Sequence, residues 1–498
     1  MSTPSDTRDQ RQVRRNKRAE LLQAGVPAYP HQVPRTHTLE YIRDHYSDLE
    51  AGAETGQIVS VAGRVVFQRN SGKLCFAALQ EGGSDGSGVR LQVMLSQARV
   101  GAEALADYKH LVDLGDHLAV TGEIISSRRG ELSIMVDTWQ MASKALNPLP
   151  VLFADLNEET RVRQRYADLI VRPEAREMVH KRAAITRAVR RTLEDADYTE
   201  IETPILQLVH GGAQARPFET HLNAFDQNMT LRIATELYLK RAVVGGIDRV
   251  FEIGKVFRNE GVDSTHSPEF TTVEAYEAYS DMYGMAERIK TIILRAVDAV
   301  GLGHHIETPR GTADLSGDWN WIEVYPGLSE AVGQQITPDT DVATLREIAE
   351  KHQVSIDEKW DAEKLVIELF GEIVEPTLIN PTFVYHYPPS AQPLASPHPE
   401  EPRVIEAWDL IIGGTEIGTA FSELIDPVIQ RERLTAQSLA AAAGDEEAMQ
   451  LDEDFLRALE YGAPPMGGLG MGIDRLVMLL TGAGIRETIL FPLLKPEA

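Results

Sequence analysis

Alternation of apolar and polar positions is the first pattern along the chain. In IVSVAGRVVF, Val59, Val61, Val65 and Phe67 share one parity, and in VRLQVML so do Val89, Leu91, Val93 and Leu95. Period two predicts half-buried strands. Cys75, Ala77 and Leu79 share one face of LCFAALQ, leaving Phe76 on the other, and residues 118–120 and 132–136 read as further short strands. Turn formers separate them: Asn70-Ser71-Gly72, Gly82-Gly83-Ser84-Asp85-Gly86 and Arg128-Arg129-Gly130. Five short strands with a helical piece near 97–112 predict an OB-type β-barrel over residues 58–145.

After a linker around Asn147-Pro148-Leu149-Pro150 the period changes. Met178, Ile185, Val189 and Leu193 form a helical stripe over roughly 174–195, ringed by Lys181, Arg182, Arg187 and Arg191. The strand-like EIETPIL follows, where Pro204 marks a sheet edge or interface strand. Residues 249–279 read as strand, long loop, strand, and 408–424 as a hairpin turning at Gly413-Gly414. Residues 467–482 start glycine-rich and become an apolar helix, while about 427–461 reads as an Ala-rich, acidic helical insertion. The expected class is α+β. An N-terminal helical extension (1–57) precedes the barrel, and a catalytic domain of antiparallel sheet and helices fills 146–498.

At 498 residues the chain is long enough for two or three domains. One cysteine, Cys75, excludes an internal disulfide, and no Cys/His spacing suits a structural zinc site. No apolar run reaches the ~20 residues of a membrane span, and MSTPSDTRDQ has no signal-peptide core; both absences point to the cytoplasm. A net charge of -26 argues by itself against a nucleic-acid partner. Against that average stands RDQRQVRRNKR at 8–18, a basic helix that either contacts phosphates or is a solvated, frayed end.

Candidate chemistry gathers on three segments. By parity Val250, Glu252, Val256 and Arg258 share a face, as do Phe270, Thr272, Glu274 and Tyr276, with Asn259, Glu260, Gly261, His266 and Pro268 in the loop between. An arginine, an aromatic ring, acids and a phenol on one hairpin face are unusual for a core, although a solvated antiparallel face would also carry them. In GGLGMGIDRLVMLLTG, Gly470 and Gly472 permit close backbone approach, and Arg475 among apolar neighbours suits a bidentate phosphate contact. In WDLIIGGTEIGTAFSEL, Thr419, Phe421 and Glu423 share a face; Asp409 and Glu416 flank the turn, either as oxygen ligands for Mg2+ or as ordinary surface acids. On the barrel, an outward Phe76 near Arg69 and Gln92 suits stacking on a single-stranded base, worth ~1–3 kcal/mol. From that domain alone, a phenylalanine filling a barrel end is the simpler account.

From about residue 58 to the C-terminus the sequence resembles the class II lysyl-tRNA synthetases of bacterial type. The segment ending in ETP at Pro204 resembles the first class II motif, FRNEG at 257–261 the second and GMGIDR at 470–475 the third. GGAQARPF at 211–218 and TELYLKRAVVGG at 235–246 narrow the resemblance to lysine. It implies that lysine and ATP form lysyl-adenylate, from which the lysyl group passes to tRNA(Lys). Arg258 and Arg475 would be catalytic. Arg258, Glu260, His266, Phe270 and Arg475 would bind ATP. Gly212, Glu236, Arg258, Glu274, Tyr276, Thr419, Phe421 and Glu423 would bind lysine, and Asp409 and Glu416 would hold Mg2+. Arg69, Phe76, Gln92 and Glu131 would meet the anticodon, and the protein would be a homodimer without membrane attachment.

Departures from that family's pattern are Thr419 for a common Asn, Ala420 for Gly, Thr235 for Pro and Asp409 for Glu. Among rival readings, the nearest is a lysine-attaching homologue that modifies a translation factor; such proteins lack an anticodon domain. Others are a membrane-fused relative that lysylates lipid, an aspartate- or asparagine-specific synthetase, and a non-catalytic OB protein with a degenerate synthetase-like domain.

Overall fold

In a computed structural model, which describes residues 4–84, 86–150, 157–263, 266–445 and 447–495, five strands close into a barrel: Glu54–Ser71, Leu74–Glu81, Val89–Ser96, His117–Ser126 and Leu132–Ser143. Their order around the barrel is first, second, third, fifth, fourth. The third and fifth pair in parallel and the others antiparallel. The first strand serves two neighbours: its early part pairs with the fourth and its late part with the second. Val61, Val65, Cys75, Ala77, Leu79, Leu91, Val93 and Leu95 all point into the core. Phe67 does not. A bulge between Val65 and Phe67 inserts one residue, burying Val66 and turning Phe67 out to 53% exposure. Asp85, within one of the expected turns, lies outside the described residues.

The expected basic helix runs from Pro4 to Gln23. Arg14 is buried and donates to the carbonyls of Leu114 and Ala145 at 2.9 and 3.2 Å. Lys17 pairs with Asp113 at 2.7 Å. This is neither a frayed end nor a wholly free phosphate patch: two of its cations fasten the helix to the barrel, while Arg11 and Arg15 stay exposed. Next to them Lys144, fully buried, bridges Asp113 and Asp116 at 2.6 and 2.7 Å.

The chain divides into two compact units between His180 and Lys181. The second is built on an eight-stranded sheet. Its order is Asn320–Glu323, Thr382–Tyr385, Ala407–Ile412, Thr415–Ser422, Met466–Gly472, Glu269–Ala278, Arg249–Phe257, Thr199–Glu200. The two outermost pairings are parallel and the rest antiparallel. Of the strand-like EIETPIL, residues 200–206, only Glu200 joins this sheet, in the edge strand Thr199–Glu200; the chain leaves the sheet before Pro204, which has no N–H to donate, and Leu206 enters a separate short strand, Leu206–Gln207. In the helix Pro173–Glu194, Ile185, Val189 and Leu193 of the expected stripe are fully buried, while Met178 is only half-buried.

The amphipathic helix Met282–Ala299 covers one face of the sheet: Trp408 Nε1 donates to the Met282 carbonyl at 2.7 Å, and a Cβ on Gly418 would run into Ile289. The other face carries the polar side chains described next. Residues 427–461 fold as two helices, Pro427–Ala442 and Glu453–Glu460, whose Leu434, Phe455, Leu456 and Leu459 bury together with Leu237 and Leu394.

Candidate active site

The hairpin Arg249–Phe257/Glu269–Ala278 pairs Val250 with Tyr276, Glu252 with Glu274, Gly254 with Thr272 and Val256 with Phe270. Paired residues of an antiparallel ladder share a face. The face is not uniformly available, however. Glu252 is committed to the fold: Arg232 reaches it at 2.6 Å, and the Thr203 N–H and hydroxyl donate to it at 2.9 and 2.6 Å. Glu274, Tyr276, Thr272 and Phe270 line a cavity of about 400 Å3.

Met466–Gly472 runs down the middle of that cavity's floor, between Glu269–Ala278 and Thr415–Ser422. Gly468 lies opposite Tyr276 on one side and Phe421 on the other; Gly470 lies opposite Glu274 and Thr419. A Cβ at Gly468 would collide with Glu423 Oε1 and the Tyr276 ring, whereas at Gly470 the nearest atoms stand at 3.8 Å. The glycine that opens the floor is therefore Gly468, which parity alone did not single out. The following helix, Ile473–Thr481, is anchored by buried Asp474, which accepts from the Thr271 N–H at 2.7 Å and pairs with Arg182.

Acids close one end. Glu236 opens the helix Glu236–Val244, and with Glu423 and Glu274 it is at least nine-tenths buried. Burial pushes Glu274 up to about 7 and Glu423 up to about 8, and raises Glu236 as well. Tyr276 is driven well above its ordinary value by burial and the charges of Glu236, Glu274 and Glu423; its hydroxyl donates to Glu274 at 3.4 Å. Gly212, with φ of +86° and only 3.0 Å from a built Cβ to the Ala234 and Glu236 side chains, folds its backbone over this end. Glu423 Oε1 has no hydrogen-bond donor among the described protein atoms.

Cations and a ring occupy the other end. Arg258 stacks over Phe270 at 5.3 Å, with Glu260, His266 and Ser267 in the adjoining loop. Burial lowers the Arg258 pKa, opposed by the charges of Glu260, Glu274 and Glu416. Arg475 donates to the Glu416 carbonyl at 3.0 Å and pairs with its carboxylate at 3.3 Å. His266 Nδ1 lies 2.9 Å from Asp263.

Glu416 and Asp409 do not line the same cavity. Asp409 faces an adjoining space of about 220 Å3 that shares Gln214, Ala391 and Gln392 with the main one. They still feel each other. A bulge between Leu410 and Ile411 pairs Ile411 with Glu416 and Asp409 with Thr419, turning Glu416 onto the Asp409 side of the sheet. Burial pushes Asp409 up to about 7, with the charges of Glu416 and Glu375 adding to it. Glu375, also pushed up to about 7, is a third acid that sequence reasoning missed; it follows a distant helix, and no local pattern brings it here.

On the barrel, Arg69 pairs with Phe76, Phe76 with Met94, and Ala78 with Gln92, so Arg69, Phe76 and Gln92 share the outer face. Gln92 Nε2 donates to Ser133 Oγ at 2.8 Å. Glu131 sits at the rim, paired with Arg43 at 3.0 Å.

Outside these sites, His386, His398 and Glu406 cluster within 4.8 Å of one another. Nδ1 of His398 accepts the N–H groups of Glu400 and Glu401, so the neutral ring keeps its proton on Nε2, facing Glu406 at 3.7 Å. That geometry suits a hydrogen-bonded group better than a metal-ligand set.

Comparison with known proteins decides the family. Residues 157–495 match the class II tRNA synthetases (D, K and N), and residues 59–142 the OB-fold nucleic acid binding domain. Lysine–tRNA ligases from Kineococcus radiotolerans and Mycolicibacterium gilvum are each 54% identical over 99% of this chain and 98% of their own length. A lysylphosphatidylglycerol biosynthesis bifunctional protein from Mycolicibacterium vanbaalenii is 47% identical, but only 44% of its length is matched. The chain belongs to the class II lysine–tRNA ligases.

Within this ligase family the departures take on physical meaning. Thr235, in place of a common proline, supplies a backbone N–H that donates to Glu274 at 3.1 Å, a bond proline cannot make. Thr419 Oγ1 donates to the Trp408 carbonyl at 3.2 Å. Among the described residues, no helix is long and apolar enough to cross a membrane.

Proposed function

We propose that this ligase activates L-lysine with ATP and transfers it to tRNA(Lys). The observation that carries the choice of amino acid is the end of the cavity where Glu236, Glu274 and Glu423 are buried together, with Arg258 at the opposite side. The lysine ε-ammonium goes to Glu423 and Tyr276, with Glu274 beside them. Phe421 lines the aliphatic stem, and Glu236 with the Gly212 carbonyl takes the α-ammonium. Thr419 flanks the carboxylate and Arg258 holds it.

The lysine carboxylate attacks the α-phosphorus of ATP and pyrophosphate leaves, so no protein nucleophile is required. Catalysis then rests on positioning and on neutralising charge. Phe270 stacks on adenine and Glu260 reads its amino group. Arg258 spans the α-phosphate and the attacking carboxylate, and His266 and Arg475 hold the outer phosphates. The all-oxygen set of Glu416, Asp409 and Glu375, in which burial and the charge of Glu416 raise both Asp409 and Glu375, fits Mg2+; these residues would hold the ion, which would supply further neutralisation of phosphate charge. A 3′-terminal ribose hydroxyl of the tRNA then displaces AMP from the lysyl carbonyl.

Arg69, Phe76 and Gln92, with Glu131 at the rim, take the anticodon, chiefly its central uridine. A homodimer is part of the proposal: Ile205, Leu206 and Leu208, 46–63% exposed beside Pro204, are apolar residues that an interface would cover. Sedimentation equilibrium tests this; a monomer at micromolar concentration rejects it. A cytoplasmic location accords with the reading. Charging of a tRNA(Lys) transcript with labelled lysine tests the acceptor. Stable labelling of a translation-factor protein in place of the tRNA would favour the rival homologue.

A further inference from the structure

The acidic end of the pocket already contains a lysine, and it is the protein's own. Lys240 lies one helical turn after Glu236, with Nζ 2.6 Å from Glu236 Oε1 and in contact with Glu423 Oε2. It is 1% exposed. The other charged groups around it are few. Glu274 and Tyr276 stand across the glycine strand Met466–Gly472 from Glu423 and interact with it by charge, and Arg241, next in the helix, turns away to Asp452 at 2.6 Å. Burial opposes the charge on Lys240, but Glu236 and Glu423 outweigh it and its pKa ends raised. Lys240 is therefore an ammonium in the free protein.

As a stabilising device the group is poor: burying several charges is commonly matched by apolar side chains of the same volume. As a charge setting it is coherent. Three carboxylates and one ammonium leave the ionised pocket at minus two. L-lysine brings two ammonium groups here and sends its carboxylate to Arg258.

We infer that Lys240 is a built-in counter-ion that sets the pocket's charge to match the two ammonium groups of one lysine, an inference that rests on reading this cavity as the lysine site. Lys240 is a positioning residue: it aims Glu236 and Glu423 and, against the push of burial, lowers the pH at which they ionise, leaving Glu423 Oε1 for the substrate. Without it, one carboxylate too many shares the site. The acids then hold protons to higher pH, and lysine must displace more of them.

The test is lysine-dependent ATP–pyrophosphate exchange from pH 6 to pH 8.5 for the wild type, K240M and K240R. The K240M variant should raise the lysine KM by roughly thirtyfold at pH 7 and shift the acidic limb of its pH profile upward by about one unit. Its kcat at saturating lysine should stay within about threefold and its KM for ATP should not change; K240R should keep the wild-type limb. If circular dichroism shows K240M unfolded, K240Q, uncharged but still hydrogen-bonding, should show the same shift. An unshifted limb in the folded neutral variant overturns the inference, whatever happens to affinity, and reduces Lys240 to packing. A wild type that fails to exchange with lysine overturns the lysine reading itself; exchange by the wild type beside an unshifted variant overturns this inference alone.

Discussion

Gly468 faces Glu423 so closely that a single added methyl would strike Glu423 Oε1 and, beside it, the Tyr276 ring. The space a lysine ammonium needs is thus the space a missing side chain leaves. G468A should cut lysine-dependent exchange at least a hundredfold while leaving the circular dichroism unchanged. G470A, where a Cβ meets its nearest atoms at 3.8 Å, should stay within about tenfold. Equal loss from both would mean that strand rigidity, not room, is what the glycines provide.

Lysine binding should depend on pH. Burial holds Glu274 up to about 7 and Glu423 up to about 8, so at pH 6 both keep protons that a bound ammonium must expel. Affinity for lysine should therefore rise roughly tenfold or more from pH 6 to pH 8.5. For stability the sign reverses. A carboxyl whose folded pKa lies above its ordinary value contributes fully below about 4.5 and loses that contribution as pH rises through about 7 to 8. The ligand-free Tm should fall across that window, and the Tm gain on adding lysine should be larger at pH 8 than at pH 6. Calorimetric titration with a flat Kd would contradict this.

Glu375 should reveal itself through the metal. E375Q removes one oxygen charge from the set with Asp409 and Glu416. The Mg2+ concentration for half-maximal exchange should rise severalfold while the lysine KM stays near its wild-type value. An unchanged Mg2+ requirement would put Glu375 outside the metal set.

Phe76 separates the two units' tasks. F76A should leave tRNA-independent exchange intact and raise the KM for tRNA(Lys) by roughly five- to hundredfold, the range expected for one lost base stack. An equal effect on exchange would point to a folding defect instead.

Ornithine, one methylene shorter than lysine, loses only ~1–3 kcal/mol in such a pocket. Weak ornithine-dependent exchange is expected at saturating concentration, and its absence would indicate a sieve that these residues do not explain.

Legibility from sequence followed the range of the interactions involved. Strand alternation fixed which barrel residues point inward, because burial repeats every two residues; it failed at Phe67, where a bulge changes parity. The hairpin face holding Phe270, Glu274 and Tyr276 was readable for the same reason. Its other acid, Glu252, looked equivalent until Arg232, distant in sequence, was found to neutralise it. Gly468 and Glu375 matter through neighbours on other elements, tens of residues away or more, which periodicity does not encode. Lys240 was within reach: it stands four residues after Glu236 on one helix, a spacing that brings side chains together, yet a buried cation among acids is invisible until Glu423 is placed beside it.

The most direct measurement is ATP–pyrophosphate exchange with each of the twenty amino acids in turn, without tRNA. Strong exchange with lysine and none of comparable strength with the other nineteen is expected from three buried carboxylates facing Arg258. Strong exchange with another amino acid, or none with any, would contradict the assignment of Glu236, Glu274 and Glu423 as the lysine pocket.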